Sequence, residues 1–293
     1  MIAAPPATQS WRTSRRVLAL VRARVVGILN ITPDSFSDGG RHFALDDAVA
    51  AARRMQAEGA DVLDVGGEST RPGAVRPSEA EELGRVIPVI EALAAEVGLP
   101  VSVDTRRAGV ARAALAAGAE IVNDVSGLTR DPAMAGVVAD AGAGVILMHM
   151  RGEPETMDSL AVYDDVAADV TRELEARVAL ATRAGIAPEA IVVDPGLGFA
   201  KTADQSLTLL ARLDRLVALG PPVMVGPSRK RFLGAATGRP VHERDGATAA
   251  ACVAARLKGA LLFRVHDVAR AREALDVADA VAFAAGGQWP AAG

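Results

Sequence analysis

The chain has 293 residues, half of them hydrophobic, with aromatics at 3% and a formal net charge of −4. That length admits one or two domains and a large core of Ala, Val, Leu and Ile. The charge leaves no basic footprint for nucleic acid, so an anionic ligand needs a local cluster of positive groups. The single cysteine, Cys252, excludes an intrachain disulfide framework, and no apolar run approaches the ~18 residues that span a bilayer.

Residues 1–24 lack acids and carry Arg12, Arg15, Arg16, Arg22 and Arg24. Such a stretch faintly resembles an organelle transit peptide, but we read it as a tail and lead-in, and take the cytoplasm as the default location. Val25–Leu29 is the first predicted strand, followed by a Gly/Pro/Ser-rich loop from Asn30 to Gly40. Asp46–Glu58 reads as a helix with acids in its first turn and Gly59 just past its end. The second strand is Asp61–Val65, and a second loop runs from Gly66 to Pro77. Ser78 and Glu81 then form a capping box ahead of Leu83, Val86, Ile87, Ile90 and Leu93, which recur at helical spacing.

The third strand is Val101–Val103, with a short helix near Val110–Ala117; the fourth is Glu120–Val122 and the fifth Val145–Met148. A long helix is expected from about Val162 to Ala184, and a sixth strand at Ile191–Val193. Thr202 and Gln205 make a second capping box before Leu207, Leu210 and Leu213. Val223–Val225 and Leu261–Val265 are the seventh and eighth strands, Cys252 sits in a buried helical run, and a final helix covers about Val268–Ala284. Eight apolar runs, mostly separated by one helix-length stretch and with no sheet reversal, predict an α/β fold: a single-domain (β/α)8 TIM barrel over 25–285 with a loose tail at 286–293.

Each run stops on a polar residue that a buried strand does not need: Asn30, Asp64, Asp104, Asn123, His149, Asp194, Ser228 and the Arg264–His266 pair. In such a barrel the C-terminal strand ends converge on one mouth, where chemistry is done. One Asp or Asn there is more often a helix cap; Asp104, Asn123 and Asp194 together can read a donor-rich ligand edge. Ser228-Arg-Lys230 and Arg264-Val-His266 follow strands seven and eight, where barrels commonly bind phosphate. His149 is as readily structural as catalytic. There is no zinc-type His/Cys spacing and no Gly-x-Ser-x-Gly elbow, and Gly196–Thr202 has the wrong spacing for a Walker A loop.

Several segments together resemble the dihydropteroate synthases of folate biosynthesis. They are Gly27-Ile-Leu-Asn-Ile-Thr-Pro-Asp-Ser-Phe-Ser-Asp-Gly-Gly40, Gly59-Ala-Asp-Val-Leu-Asp-Val-Gly-Gly-Glu-Ser-Thr-Arg-Pro-Gly-Ala74, Val101-Ser-Val-Asp-Thr105, Val122-Asn-Asp-Val-Ser-Gly-Leu128, Met148-His-Met-Arg-Gly152, Asp194-Pro-Gly-Leu-Gly-Phe199, Ser228-Arg-Lys230 and Arg264-Val-His-Asp-Val268. They occur in family order. The resemblance implies a transferase that joins 4-aminobenzoate to 6-hydroxymethyl-7,8-dihydropterin diphosphate by a dissociative substitution, giving 7,8-dihydropteroate and diphosphate.

By position, Thr70, Asp104, Asn123, Asp194 and Lys230 are then expected at the pterin, with Asp104, Asp194 and Lys230 the catalytic set. Asp194 would accept from the 2-amino and ring N–H groups, and Lys230 would bind the ring carbonyl side. Asn30 is expected to ligate Mg2+, and Asn30, Arg264 and His266 to hold diphosphate. Phe36, Thr70, Arg71, Pro72 and Ser228 would shape the aminobenzoate side. The resemblance also implies a homodimer, and Ala271, Ala274, Leu275, Ala278, Val281 and Ala282 form a broad small-residue face on the last helix that suits one. Small-molecule substrates are the expected partners, with no nucleic acid and no membrane.

Four positions depart from the family pattern: Pro227 before Ser-Arg-Lys, Ala200 where Gly is common, Ser206 where Asn is frequent, and Ala247 before Thr248. A methyltetrahydrofolate:corrinoid methyltransferase would share the pterin-reading set but lack the Thr-Pro-Asp-Ser-Phe loop and the Ser-Arg-Lys triple. A non-catalytic paralogue should have lost diphosphate or aminobenzoate groups; Asn30, Arg71, Lys230, Arg264 and His266 all remain.

Overall fold

A computed structural model describes residues 9–31, 40–68, 76–153 and 156–286. Within them, β3 (Arg24–Asn30), β4 (Val62–Gly66), β5 (Val101–Asp104), β6 (Ile121–Asp124), β7 (Gly144–Met148), β8 (Ile191–Asp194), β9 (Met224–Val225) and β10 (Leu262–Val265) form one parallel sheet. Its order is β8-β7-β6-β5-β4-β3-β10-β9. A parallel bridge between Val193 and Val223 joins the two ends, with Val193 N–H donating to Pro222 O at 3.0 Å. The sheet is therefore a barrel, as the alternating pattern predicts. Strands buried on both faces read as continuous apolar runs, and β4 and β7 are buried at every position.

The period of two sets the barrel interior. Val62, Ile121, Ile146, Val192, Met224 and Leu262 fill its lower part. Two residues further along the same strands come Asp64, Asn123, Met148, Asp194, Gly226 and Arg264, facing the same way one layer higher. The strand-end polar residues thus point inward because the apolar plug below them does. The outer faces of the strands pack on the surrounding helices in the main core, which includes Leu63, Val65, Val103, Leu147 and Val193.

Around the sheet lie α1 (Gly40–Ala57), α2 (Glu79–Glu96), α3 (Ala108–Ala117), α4 (Met134–Ala141), α5 (Val166–Arg183), α6 (Ala203–Ala211), α7 (Asp214–Val217), α8 (Arg231–Thr237), α9 (Asp245–Leu257) and α10 (Val268–Gly286). Both predicted capping boxes form, at Ser78/Glu81 and Thr202/Gln205. α1 begins at Gly40 rather than Asp46, so Asp46 and Asp47 lie beyond its first turn. α5 begins at Val166, not Val162, because the Asp165 side chain accepts the Ala167 and Ala168 N–H groups and caps it there. α4 was not expected: it is eight residues long and has no side-chain cap.

The segment read as a lead-in carries a hairpin. β1 (Ser10–Arg12) pairs antiparallel with β2 (Val17–Ala19). Trp11 is fully buried in the lower barrel core, and its Nε1 donates to Ala190 O at 2.9 Å. The hairpin closes the end of the barrel opposite the mouth. The last helix also differs from expectation. Ala271, Leu275, Ala278 and Ala282 are buried within the chain's own fold, leaving Val277 and Val281 as its exposed large apolar side chains. Most of the small-residue face is therefore spent on the barrel itself, with Ala274 partly buried and Val281 exposed.

Candidate active site

One row of residues crosses the mouth. Backbone pairing sets Asn30 beside Gly66, Gly66 beside Asp104, and Asp104 beside Asn123. A Cβ on Gly66 would stand 3.7 Å from Asn30 Oδ1 and 3.6 Å from Asp104 Cβ. Glycine there leaves an opening that Asn30 and Asp104 both face.

Below the row, Arg264 on β10 reaches across the barrel. Its Nε donates to Asp64 Oδ2 at 2.5 Å and its Nη2 to Asp104 Oδ2 at 2.7 Å. Asn123 Nδ2 donates to the same Asp64 oxygen at 3.1 Å. Two acceptors are left over, Asp64 Oδ1 and Asn123 Oδ1, both buried without a hydrogen-bond partner, as is the hydroxyl of Ser102 beside Asp64 in the sheet. Buried polar atoms are normally satisfied, so these two oxygens mark where a ligand with N–H donors belongs.

Asp194, at the end of β8, is buried and accepts from Gly196 N–H at 2.7 Å. Lys230, from the loop after β9, donates to Leu197 O, and its ammonium lies 4.3 Å from the centre of the Phe199 ring. The Ser228 hydroxyl bridges His266, lying 2.8 Å from ring Nδ1 and accepting the backbone N–H at 3.2 Å. Arg229 turns away. Its guanidinium forms a two-point pair with Asp245 at 2.7 and 2.8 Å, and its N–H donates to Thr248 Oγ1 at 3.1 Å. Pro227 fits the turn, its carbonyl accepting Lys230 N–H at 3.2 Å.

The charges are tuned by burial. Burial raises Asp104 to about 7, opposed by Arg264 and reinforced by Asp64. Asp194 is also raised by burial, opposed by Lys230 and the Gly196 N–H. Burial lowers Lys230 to about 8 against the pull of Asp194. Burial works against the charge on Arg264, yet Asp64 and Asp104 outweigh it and hold the guanidinium above its ordinary value. The result is a compact set of two acids and two cations whose charges depend on each other.

The structure therefore brings Asn30, Asp104, Asn123, Asp194, Ser228, Lys230, Arg264 and His266 to the same rim. Phe36, Thr70, Arg71 and Pro72 lie outside the described residues. Arg264, expected at diphosphate, is here engaged with two carboxylates. Asp64 was marked as a strand stop but not carried into the expected pterin set; its place two residues after Val62, on the inward face, was the available signal. The left-handed backbone of Ala200, φ 48°, accounts for glycine being usual at that position; a side chain there costs about 1–2 kcal/mol. Among the described residues no group of three or more His, Cys, Asp or Glu side chains could hold a metal ion, and no helix is long and apolar enough to cross a membrane.

Known proteins match this architecture. The family described as pterin binding enzyme matches residues 26–266. The dihydropteroate synthase of Mycobacterium leprae (strain TN) is 51% identical over 270 residues, covering 90% of this chain and 95% of that protein. The structure of Xanthomonas albilineans dihydropteroate synthase with 4-aminobenzoic acid has TM-score 0.88 at 49% identity, covering 94% of this chain and 98% of that one. A structure of the enzyme from the same species in complex with 7,8-dihydropteroate has TM-score 0.84 at 47% identity, with coverage of 93% and 98%. With a family match across the whole barrel and half the residues shared over nearly its full length, this chain belongs to the dihydropteroate synthases of the pterin-binding enzyme family.

Proposed function

We propose that this chain joins 4-aminobenzoate to 6-hydroxymethyl-7,8-dihydropterin diphosphate, forming 7,8-dihydropteroate and releasing diphosphate. The observation that carries the reading is the pair of unsatisfied buried oxygens, Asp64 Oδ1 and Asn123 Oδ1, set among Asp104 and Asp194. A pterin ring offers amino and ring N–H donors to such acceptors, and leaving them unpaired is costly. Lys230 supplies the donor for the ring carbonyl side.

The bond between the pterin methylene and diphosphate breaks with its electron pair leaving on diphosphate. Positive charge then spreads into the ring, where the carboxylates of Asp104 and Asp194 stabilise it. The amine of 4-aminobenzoate attacks the methylene carbon, forming the C–N bond, and its proton passes to the released diphosphate or to solvent. Asn30, Arg264 and His266 receive the diphosphate, Arg264 doing so from its place beside Asp104. The aminobenzoate side is assigned by the family resemblance to Phe36, Thr70, Arg71, Pro72 and Ser228.

Mg2+ is commonly held by one or two protein oxygens plus substrate phosphates. The Asn30 amide oxygen facing the opening above Gly66 suits that limited role. When bound, the ion neutralises charge on the departing diphosphate. A homodimer is part of the same proposal, supported by the exposed Val277 and Val281 one helical turn apart on α10. So is a cytoplasmic location, for which the family is the support.

The test is diphosphate release. Sustained, multiple-turnover release is expected only when both substrates are present, to vanish with a chelator and to return with added Mg2+. Multiple-turnover release at an equal rate without 4-aminobenzoate would show a hydrolase and overturn the reading.

The pH profile follows from the buried charges. The working form has ionised carboxylates and a protonated Lys230. Acidification through about 7 protonates Asp104, so kcat/KM falls on that side; alkalinisation through about 8 discharges Lys230, so it falls on the other. A narrow bell is expected, its limbs belonging to the coupled set. Lys230→Arg should remove the alkaline limb. A flat profile across neutrality in the wild-type protein counts against these roles.

A further inference from the structure

We propose that Lys201, held by His149 and through it by Glu173, is a positioning residue that shapes the loop after β8 for pterin binding. This rests on the reaction proposed above and names a buried group beside that site.

The loop from Asp194 to Lys201 turns through three left-handed residues: Gly196 (φ 64°), Gly198 (φ 78°) and Ala200 (φ 48°). The turns aim its carbonyls at donors. Gly196 O and Phe199 O accept from Lys201 Nζ at 3.1 and 2.9 Å, Leu197 O accepts from Lys230, and Ala200 O accepts from the Tyr163 hydroxyl at 3.0 Å. Converging carbonyl dipoles repel unless a cation sits among them. Lys201 fills that place at only 3% exposure; burial and the nearby Lys230 push its pKa well below the ordinary lysine value, opposed by Asp194 and Glu173, and the carbonyls converging on it favour its charged form.

An ammonium has three donors. The third goes to His149 Nδ1 at 2.9 Å. His149 is fully buried, and its Nε2 lies 3.0 Å from Glu173 Oε2. The ring is assigned the neutral Nε2–H tautomer, in which Nδ1 accepts from Lys201 and Nε2–H donates to Glu173, since an ionised carboxylate can only accept. Burial and the neighbouring Lys201 push the imidazole down to about 4, in agreement with a neutral ring. Glu173 is fixed in turn by Arg151, which lies 4.0 Å from the centre of the Tyr163 ring. Thus a chain of contacts runs from α5 to the loop.

Its output reaches the pterin groups twice. The His149 backbone N–H donates to the Asp194 backbone carbonyl at 2.9 Å, and Gly196 N–H donates to the Asp194 carboxylate at 2.7 Å. The loop also supplies the Leu197 carbonyl that Lys230 grips and the Phe199 ring beside it. A Cβ on Gly196 would stand 1.9 Å from His149 O, so loop and histidine fit without slack.

The residue type carries part of the argument. Lysines are rare here: of 32 basic residues only Lys201, Lys230 and Lys258 are lysine. A planar guanidinium could not meet three acceptors arranged around one point as a tetrahedral ammonium does. A buried prop needed for packing alone could be apolar, since buried charges are often replaced by hydrophobic residues at little cost in stability.

The experiment uses the full chain with Lys201→Met and Lys201→Arg. Calorimetry would measure a pterin analogue and, separately, inorganic diphosphate with Mg2+. Pterin-analogue binding is expected to weaken about tenfold or more in both variants, the size that outer-sphere partners have at other sites. Diphosphate affinity should hold, because Asn30, Arg264 and His266 lie on other strands. In nitrogen NMR of histidine-labelled wild-type protein, His149 Nδ1 should be the unprotonated nitrogen throughout the neutral range. Loss of both ligands together would reduce Lys201 to a general structural role and overturn the proposal. So would pterin affinity within about twofold of wild type, the scatter expected of uncoupled sites. If neither variant folds, the NMR signature decides: a proton on Nδ1 overturns the arrangement. Wild-type protein that binds no pterin analogue overturns the parent reading instead.

Discussion

Asp194→Ala is expected to abolish useful pterin binding while leaving the barrel folded. The carboxylate is buried at the end of β8, with one oxygen already taken by Gly196 N–H at 2.7 Å. A ligand edge rich in N–H donors relies on the remaining acceptor capacity. Breaking a buried charge-assisted contact of this kind costs about 2–5 kcal/mol, which is roughly thirty-fold to several thousand-fold in affinity. Lys230 would lose its nearest counter-charge in the same step, and burial would lower it further. Folding should suffer less. The carboxyl is raised by burial in the folded state, so above the ordinary aspartate range it is a charge the native protein holds at a cost, and alanine removes that cost. Asp194→Asn should do little better, because its amide presents N–H groups to N–H groups. Calorimetry with a pterin analogue reads the effect directly; wild-type affinity in Asp194→Ala would remove this residue from the pterin site.

How far this was legible in the sequence depends on the range of each contact. The strands and their polar ends were legible because an apolar run and the polar residue that stops it are local; the direction of Asp64 and Asn123 then follows from Val62 and Ile121 two residues earlier. The capping boxes were legible for the same reason, as all their partners lie within four residues. α4 was not, since no cap marks its start. The hairpin at the closed end was hidden because Trp11 finds its partner at Ala190, 179 positions away. The Lys201–His149–Glu173 chain spans 52 and 24 positions between its members. No periodicity records such pairings, and His149 alone could be read either way. The last helix is a different case. Its small-residue face was visible, but its use could not be told from spacing, because packing on one's own barrel and packing on a partner demand the same residues.

Arg264→Met is expected to lower both stability and turnover, with a loss of stability that grows with pH. The guanidinium bridges Asp64 at 2.5 Å and Asp104 at 2.7 Å. Removing one member of a buried ion pair leaves an uncompensated charge and costs about 3–5 kcal/mol. For a domain of this size that is roughly 6–20 °C in melting temperature. The direction with pH is fixed by Asp104. Burial already raises it to about 7, and Arg264 is what opposes the rise. Without Arg264 its folded-state pKa climbs further above the unfolded value of about 4. In the window between those two values the native state binds more protons than the unfolded chain, so stability falls as pH rises and levels off above the folded pKa. The gap in melting temperature between wild type and variant should therefore be widest at alkaline pH and narrow towards acid. Turnover fails for the same reason, because a protonated Asp104 cannot stabilise charge in the pterin. Arg264→Lys should recover only part of the loss, since an ammonium cannot serve two carboxylates with the spread of a guanidinium. A melting-temperature gap that stays constant with pH would show that Arg264 is held by packing alone, and that the two carboxylates beneath the mouth do not depend on it.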